Sequence, residues 1–504
     1  MSRLKLNLLA NFAGTGWSAL MGLAFVPIYV RLMGIEAFGL VGFFVTLQAA
    51  LQILDFGLSP TMNREMARYR ADPAKATEAR DFVRTLEVGY WAVGVGIGVL
   101  VVIVAPFIAT HWIKVTALPI NVVQHAVMAM GVLAALQWPL SFYQGGLLGL
   151  QRQVVLNGLQ IVMSSLANGG AALILWRISP TIGAFFAWRI IVAGIQVGLT
   201  TWVLWRSLPA SGGAPHFKPL LFWRIWRFAA GMSGIGISAV ILTQLDKIIL
   251  SKLLSLELFG YYTLAGVVVA AMTMVAGPIF NAVFPLFSSL VATRSDEMLI
   301  RMYHRSCQLM AVLVLPVAVV IALFSFELFR VWTGSAETAR HAAPIASVLV
   351  IGSALNSLMV VPFALQLAHG WTSLGVRLNV LLIVVLIPTL FVLTARYGPV
   401  GAAGGWVMSQ AIYLLIGAPL THRRLLKDEG VRSFIQDVGL PLIAAVLIAM
   451  AGRQLLNSRL TSPWPAVFGL AVVLFAALAA ATLVAAQTRN WLLMKCRVLW
   501  LRKS

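Results

Sequence analysis

The feature that most limits this chain is a succession of long apolar runs with little charge inside them. A helix needs roughly 20 apolar residues to cross a bilayer core, and about fourteen such windows can be drawn on the 504 residues. They fall near 8–30, 38–60, 85–106, 124–148, 154–176, 181–204, 228–251, 259–290, 306–328, 342–368, 374–395, 400–420, 436–452 and 464–485. Few residues remain for water-soluble domains. Only 11% of residues are charged, against about 25% in soluble domains, and mean hydropathy is +0.91. A soluble enzyme of this length is excluded. The chain reads as an all-α, polytopic membrane protein.

A net charge of +21 would suggest nucleic acid in a soluble protein, but its placement points elsewhere. The basic residues gather in alternate connections: 61–84 (Arg64, Arg68, Arg70, Lys75, Arg80, Arg84), 205–227, 291–305, 421–435 and 486–504. Loops on the cytoplasmic side carry such an excess, so both termini are expected in the cytoplasm and no nucleic-acid partner is needed. Cys307 and Cys496 then face the cytoplasm, where neither a disulfide framework nor a metal site is expected. Arg3 and Lys5 resemble the start of a signal peptide. The following run is long enough to span and lacks a small-residue cleavage site, so it reads as a retained helix. Ser207–Pro219 is the clearest linker, and the tail Asn490–Leu501 reads as an amphipathic segment on the inner membrane surface.

An internal repeat organises the windows. Leu32-Met33-Gly34-Ile35-Glu36-Ala37-Phe38-Gly39 recurs as Leu253-Leu254-Ser255-Leu256-Glu257-Leu258-Phe259-Gly260. Leu156-Asn157 recurs as Leu378-Asn379, and Gly183 to Trp188 as Gly401 to Trp406, at nearly the same offset. The offset spans six windows, an even number, which predicts a parallel repeat about an axis along the membrane normal. The expected organisation is an N-terminal lobe over 1–208, a linker over 209–227, a second six-helix lobe over 228–420, and two further helices with a basic tail over 421–504.

Several of these residues carry a resemblance. Asn11 and Gly14, the Leu32–Gly39 run, Asp55-Phe56-Gly57-Leu58 with Arg64, Asp246-Lys247, Glu257 to Tyr261 and Tyr397 to Ala403 are similar to the O-antigen flippase branch of the multidrug/oligosaccharidyl-lipid/polysaccharide exporter superfamily. The resemblance implies two six-helix lobes around a cavity and alternating access. It implies an undecaprenyl-diphosphate-linked oligosaccharide as substrate, and work beside a polysaccharide polymerase complex in a bacterial cytoplasmic membrane.

No nucleotide site is visible: none of the nine lysines follows a glycine, so Gly-Lys-Ser/Thr is absent. His-Glu-x-x-His is absent too. No cofactor is expected, and energy falls to an H+ or Na+ gradient, to the substrate gradient or to another subunit. Charges inside spans are then the informative residues, since each costs at least ~2.5–3.5 kcal/mol near mid-bilayer. Arg189 lies roughly 12 Å into span six at 1.5 Å per residue, with Gln196 and Thr200 on the same stripe. Guanidinium pairs with phosphate in a bidentate way, so Arg189 is either a diphosphate contact or a snorkelling anchor. Lys247 shares a face with Gln244 and could join it. Asp246 points about 100° away and is a counter-ion, an ion site or a solvated boundary residue. Gln48, Gln52, Asp55 and Ser59 form a stripe on span two, with Asp55 as a gate or ion site near Arg64 or Arg68. Arg31 is an interface anchor or a substrate contact. Pro27, Pro139, Pro278, Pro285, Pro316, Pro362 and Pro388 mark expected kinks, and Gly94, Gly96 and Gly98 expected helix contacts.

A lipid-linked oligosaccharide flippase fits this charge pattern. A cation-coupled multidrug exporter would call for net acidic spans. A membrane glycosyltransferase or polymerase would need catalytic carboxylates or histidines on a large external loop, and the external loops are short. A scaffold would not need charges within spans.

Overall fold

The computed structural model describes residues 3–55, 57–209, 213–219, 234–426, 435–456 and 463–490. Cys496, the start of window seven and the tail beyond Asn490 lie outside them. Among the described residues ten helices are long and apolar enough to cross a membrane. Windows two and eight hold the shorter apolar helices Ile35–Leu51, Leu256–Ala270 and Ala276–Ala292, and windows eleven and twelve are two helices that meet at the non-helical Gly398 within Thr372–Leu425. The chain divides by contact into two units, Met1–Gly260 and Tyr261–Ser504.

In the first unit lie α1 (Arg3–Met33), α2 (Ile35–Leu51), α3 (Leu58–Ala71), α4 (Ala76–Phe107), α5 (Ile120–Gly149), α6 (Gln153–Arg177), α7 (Ile182–Ser207) and α8 (Gly234–Leu253). α9 (Leu256–Thr273) begins at its end. α1 packs on α6, α4 on α5, and α5 on α7. Asn11 and Gly14 explain the first contact. Asn157 Nδ2 donates to Asn11 Oδ1 at 2.6 Å, and Gly14 leaves room for the Asn157 side chain. Where α4 crosses α5, Gly98 faces Gly131 and Ala135 and Gly94 faces Trp138, whereas Gly96 faces open space. Met62, Met66, Phe82, Tyr90, Phe142 and Tyr143 form the core shared by α3, α4 and α5.

The linker is strapped to the start of α4. Residues 213–218 have no regular secondary structure. His216 N donates to Asp81 Oδ1 at 2.8 Å, Lys218 N donates to Thr85 Oγ1 at 3.0 Å, and Lys218 Nζ reaches Asp81 Oδ2 at 2.6 Å. Burial works to raise the Asp81 carboxyl pKa, but the His216 amide and the Lys218 ammonium outweigh it and hold the group below its ordinary value. A depressed carboxylate pKa stabilises the fold above the unfolded value, near 4, and that contribution is lost as pH falls through the folded value. Protection of the His216 amide, taken against its intrinsic exchange rate at each pH, is therefore expected to be high at neutral pH and to fall only on acidification below about pH 4. In Asp81→Ala, which removes both acceptor oxygens, that protection should already be lost at pH 7; unchanged protection there would show that the strap is held by other contacts.

In the second unit, after α9, come α10 (Ala276–Ala292), α11 (Asp296–Thr333), α12 (Ala336–Leu358), α13 (Val360–Ala368), α14 (Thr372–Leu425), α15 (Leu440–Leu456) and α16 (Pro463–Val484). Windows eight and ten, each expected as one helix, are interrupted at Met274–Val275 and at Met359. In both, a proline follows the N-cap by three residues: Pro278 after Val275 and Pro362 after Met359. A first-turn proline lacks only a donor that has no helical partner there, so the chain restarts a helix rather than bending one. The non-helical positions inside α11 and α14 are Phe324 and Gly398, not the prolines Pro316 and Pro388. Gly398 takes a positive φ of 58°, which a glycine adopts at little cost.

Polar side chains attach the last two helices to α11. Arg453 donates to Leu323 O at 3.0 Å and to Glu327 Oε1 at 2.8 Å, beside the break at Phe324. Asp437, buried in the turn before α15, bonds His304 Nδ1 and accepts from Gln308 Nε2 at 2.9 Å. Gln308 Oε1 accepts from Gln487 N at 3.0 Å.

Candidate functional site

Arg189 sits on the packed side of α7. Ile182, Phe185, Phe186, Val192, Ala193, Val197, Thr200 and Leu204 are buried. At 3.6 residues per turn they fall on one arc, with Arg189 and Gln196 inside it. Ile191, Ile195 and Trp202 are exposed on the opposite side. The guanidinium lies 5.8 Å from the Phe185 ring centroid. Phe185 meets Tyr29 of α1 edge-on at 5.3 Å, and Tyr29 Oη donates to Asn168 O of α6 at 2.8 Å. The charge thus stands on the packed side of α7, beside the Phe185 ring that meets Tyr29 of α1. Thr200 Oγ1 donates back to Gln196 O at 2.6 Å, which continues the polar stripe.

Lys247, half-buried on α8, donates to Gln244 Oε1 at 3.4 Å, the partner its spacing predicts. Asp246 is buried at 6% exposure. On α2, Gln48 Nε2 donates to Gln137 Oε1 of α5, whereas Gln52 is exposed. Asp55 closes the turn after α2. Its carboxylate accepts from Tyr90 Oη at 2.6 Å, from Ser59 Oγ at 2.8 Å and from Ser59 N at 3.3 Å, so it caps α3. Arg64 and Arg68 both reach Glu65. Arg31 is exposed at the end of α1.

Two carboxylates that the sequence reading passed over are built into this unit. Glu87, 5% exposed, accepts from Tyr143 Oη at 2.7 Å, from Trp205 Nε1 at 3.1 Å and from Arg84 Nη1 at 2.9 Å. Its position inside window three was signal enough, since an acid within a span needs partners. Glu36, in the first repeat copy, accepts from Thr116 N (2.6 Å), Thr116 Oγ1 (3.0 Å), Ala117 N (2.9 Å) and Leu118 N (3.0 Å). Leu256 N donates to Lys114 O at 2.7 Å, so one loop ties the start of α2 to the start of α9.

The two repeat copies also meet directly. A Cβ on Gly39 would stand 2.4 Å from Leu256 O, and a Cβ on Gly260 would stand 2.3 Å from Ile35 O. Each glycine rests on the carbonyl, in the other copy, of the residue that matches the one four places before itself. The contact is reciprocal.

Many helices long and apolar enough to cross a membrane, with a charge such as Arg189 held on a packed helix face, are what a transporter of charged cargo would need. The polysaccharide biosynthesis protein family matches residues 4–291, more than half of the chain, and the chain belongs to that family. A putative O-antigen transporter of Shigella flexneri is 22% identical over 406 residues, covering 81% of this chain and 94% of that protein. Among solved structures, the lipid II flippase MurJ in an inward closed conformation superposes with a TM-score of 0.69 at 12% identity, covering 94% of this chain and 98% of that one. An inward-facing MATE multidrug transporter of the MOP superfamily superposes with a TM-score of 0.62 at 15% identity, covering 82% and 96%. The fold is the one these transporters share.

Proposed function

We propose that the chain is a flippase that carries an undecaprenyl-diphosphate-linked oligosaccharide across the bacterial cytoplasmic membrane by alternating access. The product would serve O-antigen, capsule or exopolysaccharide assembly. The observation that carries this reading is Arg189, a guanidinium held on the packed face of α7. A diphosphate head is anionic, and a pre-placed guanidinium offers it paired donors in a setting where water screens little. Lys247 adds a second interior cation on α8. The polyprenyl tail needs no polar route and can remain among lipid chains. Family membership and the names of the relatives support the same substrate class, and the polymerase that consumes the product is a partner of this reading. The charge sign argues against the organic cations of a multidrug exporter.

In cells, deletion is expected to abolish surface polysaccharide and to leave the lipid-linked oligosaccharide accumulated on the inner leaflet. Intact polysaccharide with a gain in drug sensitivity would favour the exporter instead.

Coupling to H+ or Na+ is assigned to Asp55 or Asp246. Asparagine keeps one acceptor oxygen at Asp55, enough for the Ser59 and Tyr90 hydroxyls though not also for Ser59 N, so thermal stability is measured beside transfer. Asp55→Asn or Asp246→Asn is expected to leave downhill transfer in vesicles but to remove its dependence on an imposed ion gradient. Retained gradient dependence in both variants would reject this assignment.

A further inference from the structure

The seam between α1 and α6 opens, near the ends of both helices, into an apolar groove of about 630 Å³. Its floor is Gly169 and Ala172, its walls include Phe25, Ile28, Leu173 and Trp176, and Arg31 stands at its end. Farther back the seam is closed by side-chain hydrogen bonds, Asn157 to Asn11 and Trp17 Nε1 to Ser165 Oγ at 2.7 Å. Arg177, one residue beyond the lining, holds a second guanidinium over the Trp176 ring at 4.1 Å. Among the described residues neither Arg31 nor Arg177 makes an ion pair. By the charge reading of the topology, this mouth lies at the outer leaflet.

We propose that the groove seats the tail of a polyprenyl diphosphate lipid, with its first isoprenyl units against Gly169 and its diphosphate between Arg31 and Arg177. Chain burial alone supplies no selectivity here, because lipid tails are as apolar as the groove. Selection must come from packing and from charge, and both are specific. A methyl-branched polyprenyl chain can pack between the rings of Phe25 and Trp176 and over the small residues Gly169 and Ala172. Two guanidinium groups match a diphosphate better than the single phosphodiester of phosphatidylglycerol. The groove spans eight residues of α6, Gly169 to Trp176, a rise of about 10 Å, so it grips the part of the tail next to the head. This rests on the flippase reading and gives the delivered lipid a waiting place on the exit side.

The test uses the full chain in phosphatidylethanolamine nanodiscs with two photoreactive probes, an undecaprenyl diphosphate and a phosphatidylglycerol. The polyprenyl probe is expected to label residues 25–32 and 169–176. Arg31→Ala, Trp176→Ala and Gly169→Leu should each reduce that labelling at least fivefold. Arg31 and Trp176 are exposed, so folding is not at stake in the first two variants. Phe468→Ala, at another exposed position, should change nothing. Equal labelling by phosphatidylglycerol, or labelling indifferent to all three substitutions, would overturn the proposal. Groove labelling without oligosaccharide transfer in vesicles would defeat the flippase reading and leave the groove standing; transfer without groove labelling would do the reverse.

Discussion

Arg189→Ala is expected to abolish oligosaccharide transfer, and Arg189→Lys to retain part of it. A hydrogen bond to a charged group contributes about 1.5–3 kcal/mol, so losing one paired contact to the diphosphate costs roughly 10- to 100-fold in affinity. Lysine keeps the charge but not the planar fork. The position beside Phe185 and Tyr29 raises a competing explanation, in which the side chain merely packs. Arg189→Met separates the two, because it fills similar space without charge. Transfer lost in Arg189→Met, with thermal stability held, places the effect on the charge. Full activity in Arg189→Ala would remove the residue from the substrate path.

The second large effect is expected at the reciprocal glycines. Added methyl groups at Gly39 and Gly260 would meet backbone carbonyls at 2.4 and 2.3 Å, and a backbone oxygen cannot rotate away as a side chain can. Overpacking of this kind costs about 1–3 kcal/mol. Gly39→Ala and Gly260→Ala should therefore each lower the melting temperature and the transfer rate, and by similar amounts because the contact is reciprocal. Gly96→Ala on α4, with nothing within 4 Å, is the control and should be neutral or stabilising by about 0.5–1 kcal/mol. If Gly39→Ala behaves like Gly96→Ala, the two repeat copies are not held by this contact.

Much of the fold was legible because lipid imposes a simple rule: long apolar runs must be helices. Local spacing was equally readable. Lys247 meets Gln244 at i+3, and Arg189, Gln196 and Thr200 share one side of α7. The breaks before Pro278 and Pro362 were harder to see, since a proline inside an apolar run reads as a kink unless the helix start beside it is known. The partners of Asp437, Glu36 and Glu87 were invisible. Asp437 meets His304 133 residues away, and Glu36 meets Thr116 80 residues away; no local periodicity encodes such pairs. Asp55 shows the same limit. Its i+4 link to Ser59 follows from spacing, but its bond to Tyr90 comes from the packing of α4. The two matching segments do touch: Gly39 lies against Leu256 and Gly260 against Ile35.

The most direct measurement is leaflet transfer by the purified chain in vesicles loaded on one side with a fluorescent undecaprenyl-diphosphate oligosaccharide. Protein-dependent appearance of the sugar on the far side, lost in Arg189→Ala and not competed by organic cations, is the expected result. Sugar that stays on the loaded side in vesicles whose protein is folded and correctly inserted would contradict the assignment.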